Sequence, residues 1–207
     1  MGHYCGVRIL RSASEAEFVA EFLRGEINSA RFGSELQALL DRDRRAADVV
    51  TSPDLDDPDA NAYRSSLLER YRAYESRDGL FGGFPHRVDW FRAALAREEV
   101  FSILYIDWDW WLRISGGTRR PLDAAARIRA GLVPGASLDE DEELAARLAS
   151  DESVPPLMVV TTPARAKLVL LEGHVRLTAY ALFPRYVPDE LEVLLGVSDE
   201  MDRWSEF

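Results

Sequence analysis

Residues 167–182 read KLVLLEGHVRLTAYAL. An apolar run stops at Glu172, and a second periodic stretch starts after Gly173. The first part is short and apolar, which predicts a strand over 167–172, and the second predicts a helix over 173–183. A helix starting at Gly173 presents unpaired backbone N–H groups in its first turn, where the peptide dipoles place positive potential. Such an end accepts phosphate or carboxylate, and a glycine lets a ligand approach the backbone closely. Arg176 lies in the same turn, with a planar fork that suits phosphate oxygens. The corner therefore reads as an anion site with Gly173, His174 and Arg176 as contacts. A plainer reading also stands, in which Glu172 is a cap-like residue paired with Arg176 and His174 is a structural hydrogen-bond donor. Thr178 either adds a hydroxyl contact or faces the core.

Outward from this corner, "PLMVV" and "ELEVLLG" read as strands on either side of it. "LDAAARIRAG" reads as a helix closing on Gly131, and Ser137 opens a further helix with acids in its first turn. The β-branched, aromatic stretch 100–114 reads as a strand. Strands at 101–106, 157–160, 167–172 and 190–195 are expected to share one sheet.

The first hundred residues read as mostly helical. Ser14 and Glu17 form a capping-box pattern for a helix over 14–45, interrupted at Gly25 and Gly33. An acidic, breaker-rich loop at 51–61 precedes a helix over about 60–77, and a third helix is expected over 88–98. Arg64, Tyr71 and Arg72 are candidates to line a groove against the second half. The loop around 79–85 reads either as a lid hinged on its glycines or as a rigid connection packed by Phe81 and Phe84. The fold class is then α+β: a helical part over 1–99 packed against a mixed-sheet part over 100–207.

Strand, Glu-Gly-His-x-Arg, then "LTAYAL" resembles the phosphate-binding corner of the ParB/sulfiredoxin superfamily. "AAARIRAGLVPG" is similar to that family's short helix ending in glycine, "PPLMVV" to its proline-initiated strand, and "ELEVLLG" to the strand after the corner. The likeness spans residues 100–197, with a helix at 137–150 inserted. It implies a nucleotide (ATP, ADP or CTP) whose phosphates contact Gly173, His174 and Arg176, used with Mg²⁺ by a small-molecule kinase or a nucleotide hydrolase. His174 stands where sulfiredoxins carry their cysteine nucleophile, so sulfinic acid reduction is not expected. Residues 183–207 leave no room for the helix-turn-helix of partition proteins.

"ISGGTRRP" (114–121) is a second candidate segment. Ser115, Gly116, Gly117, Thr118, Arg119 and Arg120 combine backbone freedom, hydroxyls and charge, without Walker A spacing. An exposed turn is the other reading. In "YIDWDWW" a regular strand would point Asp107 and Asp109 to one face, where they could share Mg²⁺ with phosphates or pair with arginines. Glu172 is a further carboxylate, as metal ligand or general base, and His174 is the other candidate for catalysis.

Net charge is -11, which argues against a duplex DNA binder. The 25 basic residues include a single lysine, Lys167. One cysteine, Cys5, builds no disulfide or cysteine zinc site. No apolar run is long enough for a membrane span, and the start has no secretory signal or myristoylation pattern. The expected setting is the cytoplasm. Three functional classes follow: a nucleotide-dependent phosphotransferase or nucleotidase, with a small-molecule acceptor and an oligomeric state left open; a non-catalytic nucleotide-sensing or protein-interaction module; and, least favoured, a ParB-like nuclease or DNA-binding protein.

Overall fold

A computed structural model describes residues 7–29, 32–136, 138–150 and 154–207. Cys5 and Ser137 lie outside them. The chain runs β1 (Arg8–Ala13), α1 (Glu15–Ile27), α2 (Gly33–Asp43), α3 (Asp48–Thr51) and α4 (Pro58–Arg72). It continues through β2 (Asp89–Ala96), α5 (Arg97–Val100), α6 (Asp109–Ser115), α7 (Pro121–Arg129) and α8 (Leu138–Ser150). It then forms β3 (Leu157–Thr161), β4 (Val169–Glu172), α9 (His174–Leu182) and β5 (Glu190–Val197). The fold is α+β.

The strands make one mixed sheet in the order β1-β2-β5-β3-β4. β3 and β5 are parallel, and the other pairs are antiparallel. Both faces of the sheet are covered. Met158, Val160, Val169, Leu171 and Leu194 enter one core with Phe18, Phe22, Leu67 and Leu68. Their neighbours Leu157, Val159, Leu170, Val193 and Leu195 enter a second core with Ala124, Leu177 and Tyr180. Alternate side chains on a strand point to opposite faces, so a sheet buried twice needs apolar residues at nearly every position.

That double burial explains the main correction. Residues 88–98, expected to be a helix, contain β2, which pairs with β5 from Asp89↔Val197 to Ala96↔Glu190. Phe91 and Leu95 are spaced for a helix face, but with Ala93 they form one face of a strand. Residues before and after 99 are thereby joined in one sheet. A short strand over 8–13 also went unpredicted.

The run 101–106 forms no named strand. Leu104 alone bridges β4, donating to Leu168 O at 2.9 Å and accepting from Leu170 at 2.8 Å. Tyr105 then donates to Arg119 O at 2.9 Å, and α6 starts at Asp109, an acid where the helix dipole favours one. The aromatic residues of the run still reach the cores, but from a bend and a helix. In α1, Ser14 does cap, accepting from Glu17 N at 3.1 Å. The helix breaks after Ile27, whereas Gly25 lies within it.

The loop around 79–85 takes the packed reading. Phe81 and Phe84 are buried edge-to-face at 5.4 Å, and Trp204 Nε1 donates to Leu80 O at 2.8 Å. Arg64 does not line a groove: it is 1% exposed and donates to Val49 O at 3.0 Å and Asp54 O at 2.6 Å.

Arg92 points from β2 toward α1. Its guanidinium donates to Glu17 Oε1 and to Glu21 Oε1, both at 2.6 Å, with the Arg92 side chain 12% exposed. Burial alone would raise the Glu17 carboxyl, but hydrogen bonds from Arg11 and Arg92 hold it below its ordinary range. Removing one partner of such a set leaves buried charge uncompensated. Arg92→Ala is expected to lower unfolding free energy by about 3 kcal/mol in urea titration, whereas Arg8→Ala, which breaks an exposed pair with Glu190, should change little.

Candidate functional site

β4 ends at Glu172, and Gly173 turns the chain into α9 with φ 105° and ψ 23°. A side chain there would be strained by the backbone and would push on its neighbours. A Cβ on Gly173 would lie 2.6 Å from Leu157 Cδ2 and 3.2 Å from Arg176 Nη2. The first hydrogen bond of α9 runs from Leu177 N to Gly173 O at 2.9 Å. Among the described residues nothing pairs with the backbone N–H groups of His174, Val175 and Arg176. The expected strand, glycine and helix start are thus in place.

The arginine of the corner is engaged. Arg176 Nη1 donates to Pro155 O and, at 3.1 Å, to Pro156 O, and Nη2 donates to Glu172 Oε1 at 3.1 Å. Its side chain is 12% exposed. Helix α1 lies against this pair: a Cβ on Gly25 would be 3.4 Å from Glu172 Oε1 and 3.6 Å from Arg176 Nη2.

The next residue of α1, Glu26, is a charged group that sequence reasoning missed. Its carboxylate accepts from Tyr71 Oη and from Arg72 Nη2, each at 2.6 Å. Burial, and then the charge of Glu172, raise its pKa above the usual carboxylate range. Two carboxylates and two arginines therefore adjoin between α1, α4 and the β4–α9 corner. The available signal was spacing. Glu26 follows Phe22 and Leu23 by four and three residues, on the stripe that α1 buries. Tyr71 and Arg72 thus approach the corner through Glu26.

His174 is the first residue of α9 and is 8% exposed. Its ring stacks on Trp111 with centroids 4.7 Å apart, and Trp111 stacks on Tyr105 at 4.8 Å. Nε2 has no partner among the described residues. Burial, with a smaller contribution from Arg176, pushes the imidazole down to about 3, so it is neutral at physiological pH. Thr178 faces inward: its hydroxyl donates to His174 O at 2.8 Å and receives the Tyr105 hydroxyl at 2.7 Å.

The 115–120 segment closes on itself. Gly116, with φ 70°, ends α6, and Gly117 N donates to Leu112 O at 2.7 Å. Ser115 Oγ donates to Trp111 O at 2.7 Å and accepts from Arg119 N at 2.9 Å. Thr118 Oγ1 donates to Ser115 O at 3.1 Å and accepts from Arg120 N at 3.2 Å. Arg120 is exposed ahead of α7. Arg119 instead donates to Tyr105 O at 2.7 Å and to Phe207 O and Glu206 O at 2.8 Å. The 115–120 segment reaches the corner only indirectly, through Trp111, which accepts from Ser115 Oγ and stacks on His174, while Arg119 and Arg176 serve different acceptors.

Asp107 and Asp109 do not share a strand face. Asp107 sits in a bend, 3.7 Å from Arg119 Nη1, and Asp109 is the first residue of α6. Both line a shallow depression of about 390 Å³ with Trp108 and Trp110. No group of three or more His, Cys, Asp or Glu suited to a metal ion occurs among the described residues. No described helix is long and apolar enough to cross a membrane.

No protein-family model matches this chain, and neither a curated protein nor a solved structure matches it.

The buried imidazole has a consequence for pH. The unfolded chain binds a proton at His174 near the ordinary 6.5, and the folded chain does so only near 3. Its contribution to stability is therefore complete above about pH 6.5 and is lost as pH falls toward 3, at up to about 1.4 kcal/mol per pH unit. Glu26, with its raised pKa, acts in the opposite sense, losing stability as pH rises through its folded value. That effect is common to wild type and a His174 variant. Between pH 6.5 and 4.5 the melting temperature of wild type should fall more steeply than that of His174→Phe, which keeps a ring in the stack. Parallel slopes would show that His174 is not buried neutral.

Proposed function

We propose that this chain binds a phosphate-bearing ligand of the nucleotide class, with ATP, ADP and CTP as candidates, at the N-terminal end of α9. One observation carries the reading: among the described residues, three first-turn N–H groups without partners follow a glycine whose φ of 105° would strain any side chain, and the buried Nε2 of His174 has no partner either. Backbone donors and the helix dipole are suited to a phosphate group. The likeness of the Glu-Gly-His-x-Arg corner to the ParB/sulfiredoxin superfamily supports the same choice.

In this proposal His174, Val175 and Arg176 receive the phosphate through their backbone N–H groups, Gly173 permits its close approach, and the Arg176 side chain exchanges its proline carbonyl acceptors for phosphate oxygens. Phosphate oxygens carry charge and accept the planar fork of a guanidinium in bidentate fashion, which favours that exchange. Glu172, released from Arg176, becomes the carboxylate nearest to an incoming nucleophile, as a general base in phosphoryl transfer to a small-molecule acceptor or in hydrolysis. His174 acts as a neutral donor or acceptor, since burial keeps it uncharged. A Mg²⁺ site held by Asp107 and Asp109 fits poorly: the bend, the helix start and the nearby Arg119 leave two carboxylates without a shared face. No step is assigned to a metal.

The engagement of Arg176 with Pro155, Pro156 and Glu172 also favours a second reading, a non-catalytic nucleotide-sensing or protein-interaction module. Turnover separates the two. A ligand that binds only the folded chain raises its melting temperature, so a panel of nucleotides with and without Mg²⁺ reads binding directly. ATP, ADP or CTP should shift the melting temperature, and Arg176→Ala should weaken that ligand by about 1.5–3 kcal/mol. No shift with any nucleotide at millimolar concentration rejects the proposal. Binding without product release assigns the sensor.

A further inference from the structure

The corner of α9 is backed by a network of four charges. Glu172 Oε1 accepts from Arg176 Nη2 at 3.1 Å, and Glu26 Oε2 accepts from Arg72 Nη2 and from the Tyr71 hydroxyl, each at 2.6 Å. Gly25 brings the two pairs together. A Cβ on it would lie 3.4 Å from Glu172 Oε1, and Glu26 is the next residue. All four side chains are mostly buried, and Glu26 is the least exposed, at 7%.

Two carboxylates and two guanidinium groups balance to zero. The groups around them add no unpaired positive charge among the described residues. Burial raises the pKa of the Tyr71 hydroxyl and keeps it neutral, and Glu35 of α2, which acts on that hydroxyl, is itself acidic. Arg24 of α1 is paired with Glu21 at 2.7 Å. His174, near Arg176, is neutral. A phosphate that takes the Arg176 fork therefore upsets the balance and leaves Glu172 without its cation. Arg72 is not free to follow. Its guanidinium lies 4.1 Å from the ring centre of Phe32 and 4.4 Å from that of Tyr71, and it is bonded to Glu26. Two ionised carboxylates and an anion would then share a poorly solvated space, where like charges are costly. Glu26 is the group placed to relieve this, being the more deeply buried carboxylate, with a pKa already raised by burial and by Glu172.

We propose that anion binding at α9 is coupled to the uptake of one proton from solvent by the Glu26 carboxylate. The inference rests on the phosphate reading of that corner and adds its regulation by pH. The proton goes onto a Glu26 oxygen, Arg72 keeps its place, and Glu172 stays ionised. The sign follows from linkage. A group whose pKa is higher in the complex than in the free chain makes binding tightest below its free value and weaker as pH rises toward its bound value. Affinity should therefore fall with rising pH, by up to about tenfold per pH unit.

The test titrates ATP, ADP and CTP in turn into the full chain by calorimetry, without Mg²⁺, in two buffers of different ionisation enthalpy. It is run near neutral pH, where the phosphates are already largely ionised. The difference in heat between buffers should show net proton uptake for the nucleotide that binds. Glu26→Gln, which is isosteric and does not titrate, should bind the same nucleotide without that uptake, with an affinity that falls less as pH rises. If this variant does not fold, the carbon-13 shift of the Glu26 carboxyl in wild type, with and without nucleotide, reports the same proton, and a shift that stays at its ionised value overturns the proposal. Binding without proton uptake, or equal uptake in wild type and Glu26→Gln, overturns the coupling and leaves the nucleotide proposal standing. Binding of none of the three nucleotides overturns both.

Discussion

Outside its exposed edge strand β1, the sheet is buried on both faces, and most of the molecule follows from that. Every strand residue in β3 is buried, as are three of four in β4, so helices must cover both sides. A charge on such a strand has to bring its own partners. Arg92 does so by drawing Glu17 and Glu21 of α1 onto it, which fixes the helix over the sheet. With α1 in place, Gly25 and Glu26 come to rest against the β4–α9 corner. The polar chemistry of the candidate site is therefore assembled by the same helix that closes the core.

The parts of the fold legible in the sequence are those where local pattern and final environment agree. The glycine between β4 and α9 was readable because positive φ and a close approach both demand it there. So were α7, α9, β3, β4 and β5. β2 was not, since a strand buried twice loses its alternation and Phe91 and Leu95 then imitate a helix face. The run around Leu104 failed for another reason: strand-forming residues were taken up by a bend and a helix whose start at Asp109 depends on contacts far along the chain, at Arg119 and Glu206.

At the candidate site, the strand, the glycine and the helix start were legible, and the partners of the side chains were not. Gly173, His174 and Arg176 lie together as expected. Thr178 and Ser115 spend their hydroxyls on internal bonds, a choice that only the tertiary structure decides. Tyr71 and Arg72, candidates from the sequence, approach the corner only through Glu26, which no motif marks. What links the two segments singled out at the start is a pair of stacked rings, His174 on Trp111, at a position where charge alone had drawn attention.

The position of β5 bears on how the chain reaches this state. Among the described strands it comes latest in sequence, yet it lies in the middle of the sheet, between β2 and β3. Until it emerges, the hairpin of β1 and β2 has a bare inner edge, and β3 lacks its parallel neighbour. Open edges of this kind pair readily with foreign strands, and long-range pairing is slow to form. β5 is therefore the strand that joins two antiparallel pairs, β1 with β2 and β3 with β4, and the exposure of their inner edges ends only when it slots between them.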